Sequence, residues 1–139
     1  MSIRTVTLVY GIVFLLVGIA GFVPGFREPY DMSGHDLVVN QGEGYLFGLF
    51  AVNILHNLTH FLFGVAGLAV YKSLPASRSY LKAVAIIYGA FVVMGLVPGL
   101  NTVFGLVPLH GHDVWLHLVL AGVAAYFGFA HKEHDAART

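Results

Sequence analysis

Four long stretches of this chain carry no Asp, Glu, Lys or Arg, and that restriction decides the kind of fold open to it. Val6 to Val23 is an uninterrupted run of 18 such residues between Arg4 and Pro24-Gly25, long enough for a tilted crossing of a hydrocarbon core. The run exceeds the usual apolar region of a signal peptide and lacks a persuasive small-x-small cleavage site, so it reads as a retained helix. Tyr45 to Tyr71 is 27 residues, roughly 40 Å at about 1.5 Å per residue, and overshoots a ~30 Å core. Its first turns, to about Asn53, are therefore expected at the interface or as a separate short element. Ala83 to Val97 and Val114 to Ala130 complete the set. The intervening segments, Phe26 to Gly44, Lys72 to Lys82 and Gly99 to Asp113, hold proline, glycine and most of the charge, and are expected as connections. With 58% apolar and 10% charged residues, a soluble domain of 139 residues is not the expectation. The expected fold is all-α: a single integral membrane domain, 1–139, forming a four-helix transmembrane bundle.

The chain repeats itself. At an offset of 57, Phe47-Gly48-Leu49 becomes Phe104-Gly105-Leu106 and His60 becomes His117, while Asn53, His56, Gly64 and Gly67 fall on His110, Asp113, Ala121 and Ala124. The two Val-Pro-Gly helix endings, at Val23 and Val97, align at an offset of 74, so the first loop is longer by 17 residues. Two related helical hairpins are expected, at about 1–72 and 80–131. Six of the seven basic residues, Arg4, Lys72, Arg78, Lys82, Lys132 and Arg138, lie in the N-terminus, the middle connection and the tail, which places both termini on the cytoplasmic side. Each hairpin then enters and leaves on one face, making the repeats parallel about a pseudo-twofold along the membrane normal.

Asn53, His56, His60, Gly64 and Gly67 share one helix face. His60 lies about 18 Å along the helix from Lys72, deep enough that its ring is expected to face the bundle interior with partners. The small residues that follow, with Ala121 and Ala124, suggest that helices two and four pack closely across the pseudo-axis. Three uses fit this stripe. Neutral histidines, asparagines and Asp113 could serve as polar glue for a structural or accessory subunit, which needs no ligand. His56, His60, Asp113 and His117 have the donor types and i, i+4 spacing of a zinc, iron or copper site, with Asn53, Asn57 and His110 orienting the ring nitrogens turned away from the metal. His60 and His117 at equal depth could hold a tetrapyrrole, haem or chlorophyll-type, between them or at the periphery. The same stripe as a proton or ion conduit is the remaining alternative. His35 and His112 read as loop residues, His131 and His134 as tail residues.

Zero cysteines exclude disulfides, thiolate metal sites and thiol nucleophiles. Zero formal net charge offers no field for nucleic acid, and no G-x-S-x-G, Walker or GxGxxG signature is present, so no enzyme activity is expected. The expected partners are the lipid bilayer and, as an alternative, other membrane-protein subunits.

The segments Phe47-Gly48-Leu49, Asn53-Ile54-Leu55-His56-Asn57-Leu58-Thr59-His60 and Gly64-Val65-Ala66-Gly67-Leu68 resemble those of a bacterial membrane family known as domain of unknown function 4383. The resemblance covers most of the chain. Its pattern is N-x-x-H-N-x-x-H-x-x-x-G in the second span, and Asn-x-x-Asp then Leu-His before the fourth, matched here by Asp113 and Leu116-His117, with His110 standing where the asparagine is expected. It implies a four-span protein of a bacterial cytoplasmic membrane or an internal membrane such as a thylakoid, and no activity. The orientation is testable: an impermeant thiol reagent applied from outside should label cysteines introduced near Asp31 and Gly111 and should not label one near Ser77, and the reverse pattern would invert the topology.

Overall fold

The computed structural model describes residues 1–29 and 37–133, so the expectations for Asp31, His35 and His134 lie outside the described residues. Four helices carry the fold: α1 (Ile3–Phe22), α2 (Ile54–Val70), α3 (Leu74–Leu96) and α4 (His112–Ala125), the last continued by one π-helical turn, Tyr126–Ala130. Three short strands, β1 (Arg27–Glu28), β2 (Gly44–Leu46) and β3 (Phe50–Val52), form a small antiparallel sheet in that order. Three helical segments are long and apolar enough to cross a membrane, Ile3–Phe22, Leu74–Leu96 and His112–Ala130; α2, at 17 residues, is shorter.

The sheet supplies the separate short element expected before Asn53, as a strand hairpin in place of helical turns. Phe47 and Gly48 take φ of 53° and 70°, the two left-handed residues of a tight hairpin turn, and glycine accepts that conformation at little cost. The same Phe-Gly pair recurs at Phe104 and Gly105 with φ of 56° and 86°. Asn53, in extended conformation, then caps α2 by accepting the His56 N–H at 2.9 Å.

An expectation fails at Lys72 to Lys82, where the connection shrinks to Tyr71–Ser73. Ser73 caps α3 by accepting the Ala76 N–H, and Pro75 lies in its first turn, where its missing N–H costs nothing. Ser77 is therefore buried inside α3, and its hydroxyl donates to the Val70 and Tyr71 carbonyls at the end of α2. Exposed Lys72 is the better position for a labelling test of that side. Both Val-Pro endings behave alike: Val23 and Val97 are extended (φ −87°, ψ 113°; φ −97°, ψ 116°), because a following proline disfavours the helical region.

Helix α2 packs along α1, and α4 along α3. The register Gly11 to Leu68, Leu15 to Gly64 and Gly18 to Phe61 makes the first pair antiparallel. A β-carbon at Gly64 would lie 2.5 Å from the Leu15 nitrogen, and one at Gly18 would lie 2.6 Å from the Phe61 nitrogen, so the backbones touch where no side chain fits. The small stripe of α2 thus serves the contact with α1, and the expected close packing of α2 on α4 is corrected. Ala121 and Ala124 join a different part of the interior, the cluster with Leu81, Val84, Ala85 and Tyr88 of α3.

The two helix pairs are joined by rings and phenols. Phe14 and Tyr88 stack at 5.2 Å between centroids, the Tyr10 hydroxyl donates to the Leu120 carbonyl at 2.7 Å, and the Tyr80 hydroxyl donates to the Phe63 carbonyl at 2.9 Å. At one end, Glu133 accepts the Ile3 N–H while Arg78 donates to the His131 and Glu133 carbonyls, tying the tail to α1 and α3.

Gly64→Leu or Gly18→Leu should therefore lower stability by about 1–3 kcal/mol or more through overpacking of α1 on α2. Gly122→Ala, where an added carbon meets nothing within 4 Å, should hold or gain about 0.5–1 kcal/mol from helix propensity. Thermal unfolding in detergent checks the contrast; equal midpoints for Gly64→Leu and wild type would contradict the packing.

Candidate metal centre

The site is assembled where strand β3 hands the chain to α2. His56 and His60 project from one face of α2 a turn apart, and His117 reaches them from α4; all three are 5% exposed or less. Their ligating nitrogens lie within 4.8 Å of one another, and the Nε2 atoms of His56 and His60 are 3.0 Å apart. Ring centroids are 4.9 Å (His56–His60), 5.9 Å (His56–His117) and 6.4 Å (His60–His117) apart. Phe14 packs edge-on to His60 at 5.4 Å, Tyr88 edge-on to His117 at 5.0 Å, and Phe91 lies 6.0 Å from His117. Three imidazoles thus meet inside an aromatic shell.

The backbone sets the tautomer of His56. Its Nδ1 lies 2.9 Å from the Ala51 carbonyl, which can only accept, so Nδ1 carries the proton and Nε2 presents a lone pair to the cluster. Ala51 in turn donates its N–H to Oδ2 of Asp113 at 3.1 Å, and a bridge between Phe50 and Gly111 fixes β3 against the start of α4. Asp113, buried in the first turn of α4, therefore acts on the strand that orients His56. It borders the same small cavity as His56 and His60 but stands outside the group of three whose ligating atoms converge.

The hydrogen bonds available to the cluster do not balance. Nδ1 of His60 and both nitrogens of His117 are buried with no hydrogen-bond partner among the described residues. A neutral imidazole has one donor and one acceptor, so His117 keeps a buried N–H and a buried lone pair that meet nothing. Leaving such groups unpaired costs about 1–3 kcal/mol each.

The residues expected to orient the rings are placed otherwise. Asn53 is fully engaged elsewhere: besides capping α2, its amide donates to the Val39 carbonyl at 2.8 Å and the Leu106 carbonyl at 2.7 Å, joining the two loops at this end. Asn57 turns toward α1, where its carboxamide occupies the space a β-carbon on Gly21 would need. His110 is half-buried in the loop before α4, outside the group of three. His112 is the first residue of α4 and accepts the Trp115 indole N–H at 2.9 Å, and His131 packs on Phe127. The orienting carbonyl of Ala51 and the aromatic walls escaped sequence reasoning, although Phe14 and Tyr88 do stand at the same offset of 74 as the helix endings.

Fold and cluster together define a small bundle of membrane-type helices with a buried tri-imidazole centre. The chain belongs to the family described as domain of unknown function DUF4383, whose model matches residues 4–130 and so takes in both helix pairs and all three histidines. No curated protein and no solved structure matches the chain.

The junction at Asn53 can be tested apart from the histidines. Asn53→Ser keeps a neutral acceptor for the cap and gives up the amide donors to the two loop carbonyls, whereas Asn53→Ala loses all three bonds. Alanine should cost about 1–2 kcal/mol more than serine if the cap carries most of the effect. Chemical denaturation of both variants measures it, and equal losses would assign the effect to the loop carbonyls instead.

Proposed function

We propose that this protein is a small multi-pass membrane protein that binds one transition-metal ion on His56, His60 and His117. The observation that carries the proposal is the imbalance at the cluster: Nδ1 of His60 and both nitrogens of His117 are buried without partners among the described residues, and one nitrogen from each of His56, His60 and His117 lies within 4.8 Å of the other two. Polar glue accounts for His56 and His60, whose Nε2 atoms are hydrogen-bonded at 3.0 Å, and is a weaker account of His117, both of whose nitrogens are unpaired among the described residues. A cation would give each of the three rings a partner for one lone pair, while the other nitrogen of each neutral imidazole remains an N–H. On His56 that N–H meets the Ala51 carbonyl, the arrangement by which a ligating histidine is commonly oriented. Imidazole donors suit zinc, copper, iron and nickel, and the Asp113 carboxyl group borders the cavity beside His56 and His60. The rings of Phe14, Tyr88 and Phe91 against the histidines leave room for an ion rather than for a macrocycle between His60 and His117. The same rings close the interior beyond the cluster and disfavour a continuous conduit.

The membrane arrangement belongs to this reading. Helices α1, α3 and α4 span by length, and α2 completes a fourth crossing with the β2–β3 hairpin continuing its depth on the non-cytoplasmic side. The distribution of basic residues places both termini in the cytoplasm. The Phe-Gly turns at Phe47 and Phe104 share backbone conformation at the 57-residue offset, and the carbonyls of Phe63 and Leu120, at that same offset, each accept a tyrosine hydroxyl from the opposite pair. These correspondences support a parallel repeat.

Metal analysis of gently purified protein should find about one zinc, copper, iron or nickel ion per chain, absent from His60→Ala and His117→Ala. Metal at about a hundredfold over its Kd should raise wild-type stability by about 2.7 kcal/mol and leave the variants unmoved. His60→Asn, which can hydrogen-bond but is a poor ligand, should behave like His60→Ala. Metal-free protein that ignores added metal, with His60→Asn at wild-type stability, would establish glue instead.

A further inference from the structure

Three imidazoles fill three positions of a tetrahedral ion, and an ion with three protein ligands keeps its fourth position for an exogenous group. Asp113 does not supply the fourth ligand here, because it accepts the Ala51 N–H and lies outside the converging group. What borders His56 and His60 instead is a cavity of about 50 Å³. A single water needs roughly 10–15 Å³ of such space, so this one admits a molecule of two or three heavy atoms and excludes an organic substrate. Its remaining walls, Val17, Leu46, Phe47, Phe50, Val52 and Leu116, are all apolar, and Asp113 is the one carboxylate on its lining.

The cavity has a neighbour. An apolar groove of about 340 Å³ runs along the outer side of α1, past Leu16, Ile19 and Val23, and two of its residues, Val17 and Phe47, also line the inner cavity. Phe47 sits in the left-handed turn of the β2–β3 hairpin and is half-exposed, so Val17 and Phe47 form the partition between the helix surface that faces lipid and the metal centre. A route walled by hydrocarbon selects against anions and strongly hydrated molecules by desolvation.

Resting on the metal reading, we propose that the fourth position of the tri-imidazole centre takes a small uncharged diatomic ligand, of the class of O2, NO or CO, which enters from the hydrocarbon of the bilayer between Val17 and Phe47. Binding is a reversible coordinate bond from the ligand to the reduced metal and needs no further reactant.

Carbon monoxide on the copper(I)-loaded protein, prepared anaerobically with reductant, is the probe. Infrared spectroscopy should show one C–O stretching band, shifted by 13CO, at one CO per copper. Val17→Trp should retain the copper and slow CO uptake by about tenfold or more, equivalent to about 1.4 kcal/mol added to the entry barrier. Val17→Ala, which thins the partition without crowding α1, should accelerate it and keeps the test open if the tryptophan variant does not fold. Azide, an anion of similar size, should leave the copper(II) spectrum unchanged. Protein that takes up no copper would end this proposal, and protein that refuses zinc, iron and nickel as well would end the metal reading. Copper held by three imidazoles without a CO band would end the proposal alone. Uptake rates unmoved by both Val17 variants would refute the entry route, and a strong azide response would refute the uncharged ligand.

Discussion

One carboxamide carries much of the order at the end of the bundle where the site lies. Asn53 accepts the His56 N–H in the first turn of α2 and donates to carbonyls of two loops that are far apart in sequence, so the helix start and both loops are fixed by the same three bonds. In apolar surroundings this matters more than it would in water, because a helix terminus and two loop carbonyls left without partners would each carry a desolvation cost with no solvent to offset it. The loops add their own ties: the Val38 and Val39 N–H groups both donate to the Gly105 carbonyl, and the Ile54 N–H donates to Gln41. The three residues from Ala51 to Asn53 thereby become a rigid step, and the imidazoles are positioned by that step.

The bundle below is held by a different physics. Lipid-like surroundings give no hydrophobic reward for bringing helices together, so contact depends on how closely backbones can approach. Glycines at 11, 18, 64 and 67 let α1 and α2 touch. Between the two helix pairs the interface is aromatic, with Phe14 on Tyr88 at its centre, and phenol hydroxyls reach carbonyls already used within their helices. His60 and His117 lie against those two rings, which ties the cluster's geometry to the packing of the whole bundle.

The site concentrates unpaired polarity: three of the six buried side-chain atoms without a hydrogen-bond partner among the described residues are ring nitrogens of His60 and His117. Serines cap α1 and α3, Ser77 reaches the end of α2, and Glu133 covers the start of α1. The other three unpartnered atoms, Arg27 Nε, Glu43 Oε2 and Asn57 Nδ2, belong to three residues outside the cluster, whereas those of His60 and His117 sit within it.

The sequence by itself determined the helices, because long uncharged runs have few other uses, and it determined that His56, His60 and His117 would share an interior, because ionisable residues at that depth must find partners. The Val-Pro endings and the left-handed Phe-Gly pairs were equally local, since proline and glycine act on their own backbone. Only the tertiary structure decided which helices touch: Gly64 and Gly67 could have met α4 as well as α1, and periodicity names a face without naming what covers it. Only it decided that the stretch before Asn53 is a hairpin, since strand pairing with Arg27 and Glu28 is a contact between distant residues. The separation of Asp113 from the converging imidazoles has the same origin. Its carboxylate is claimed by the Ala51 N–H, a partner 62 positions away that no pattern around Asp113 could disclose.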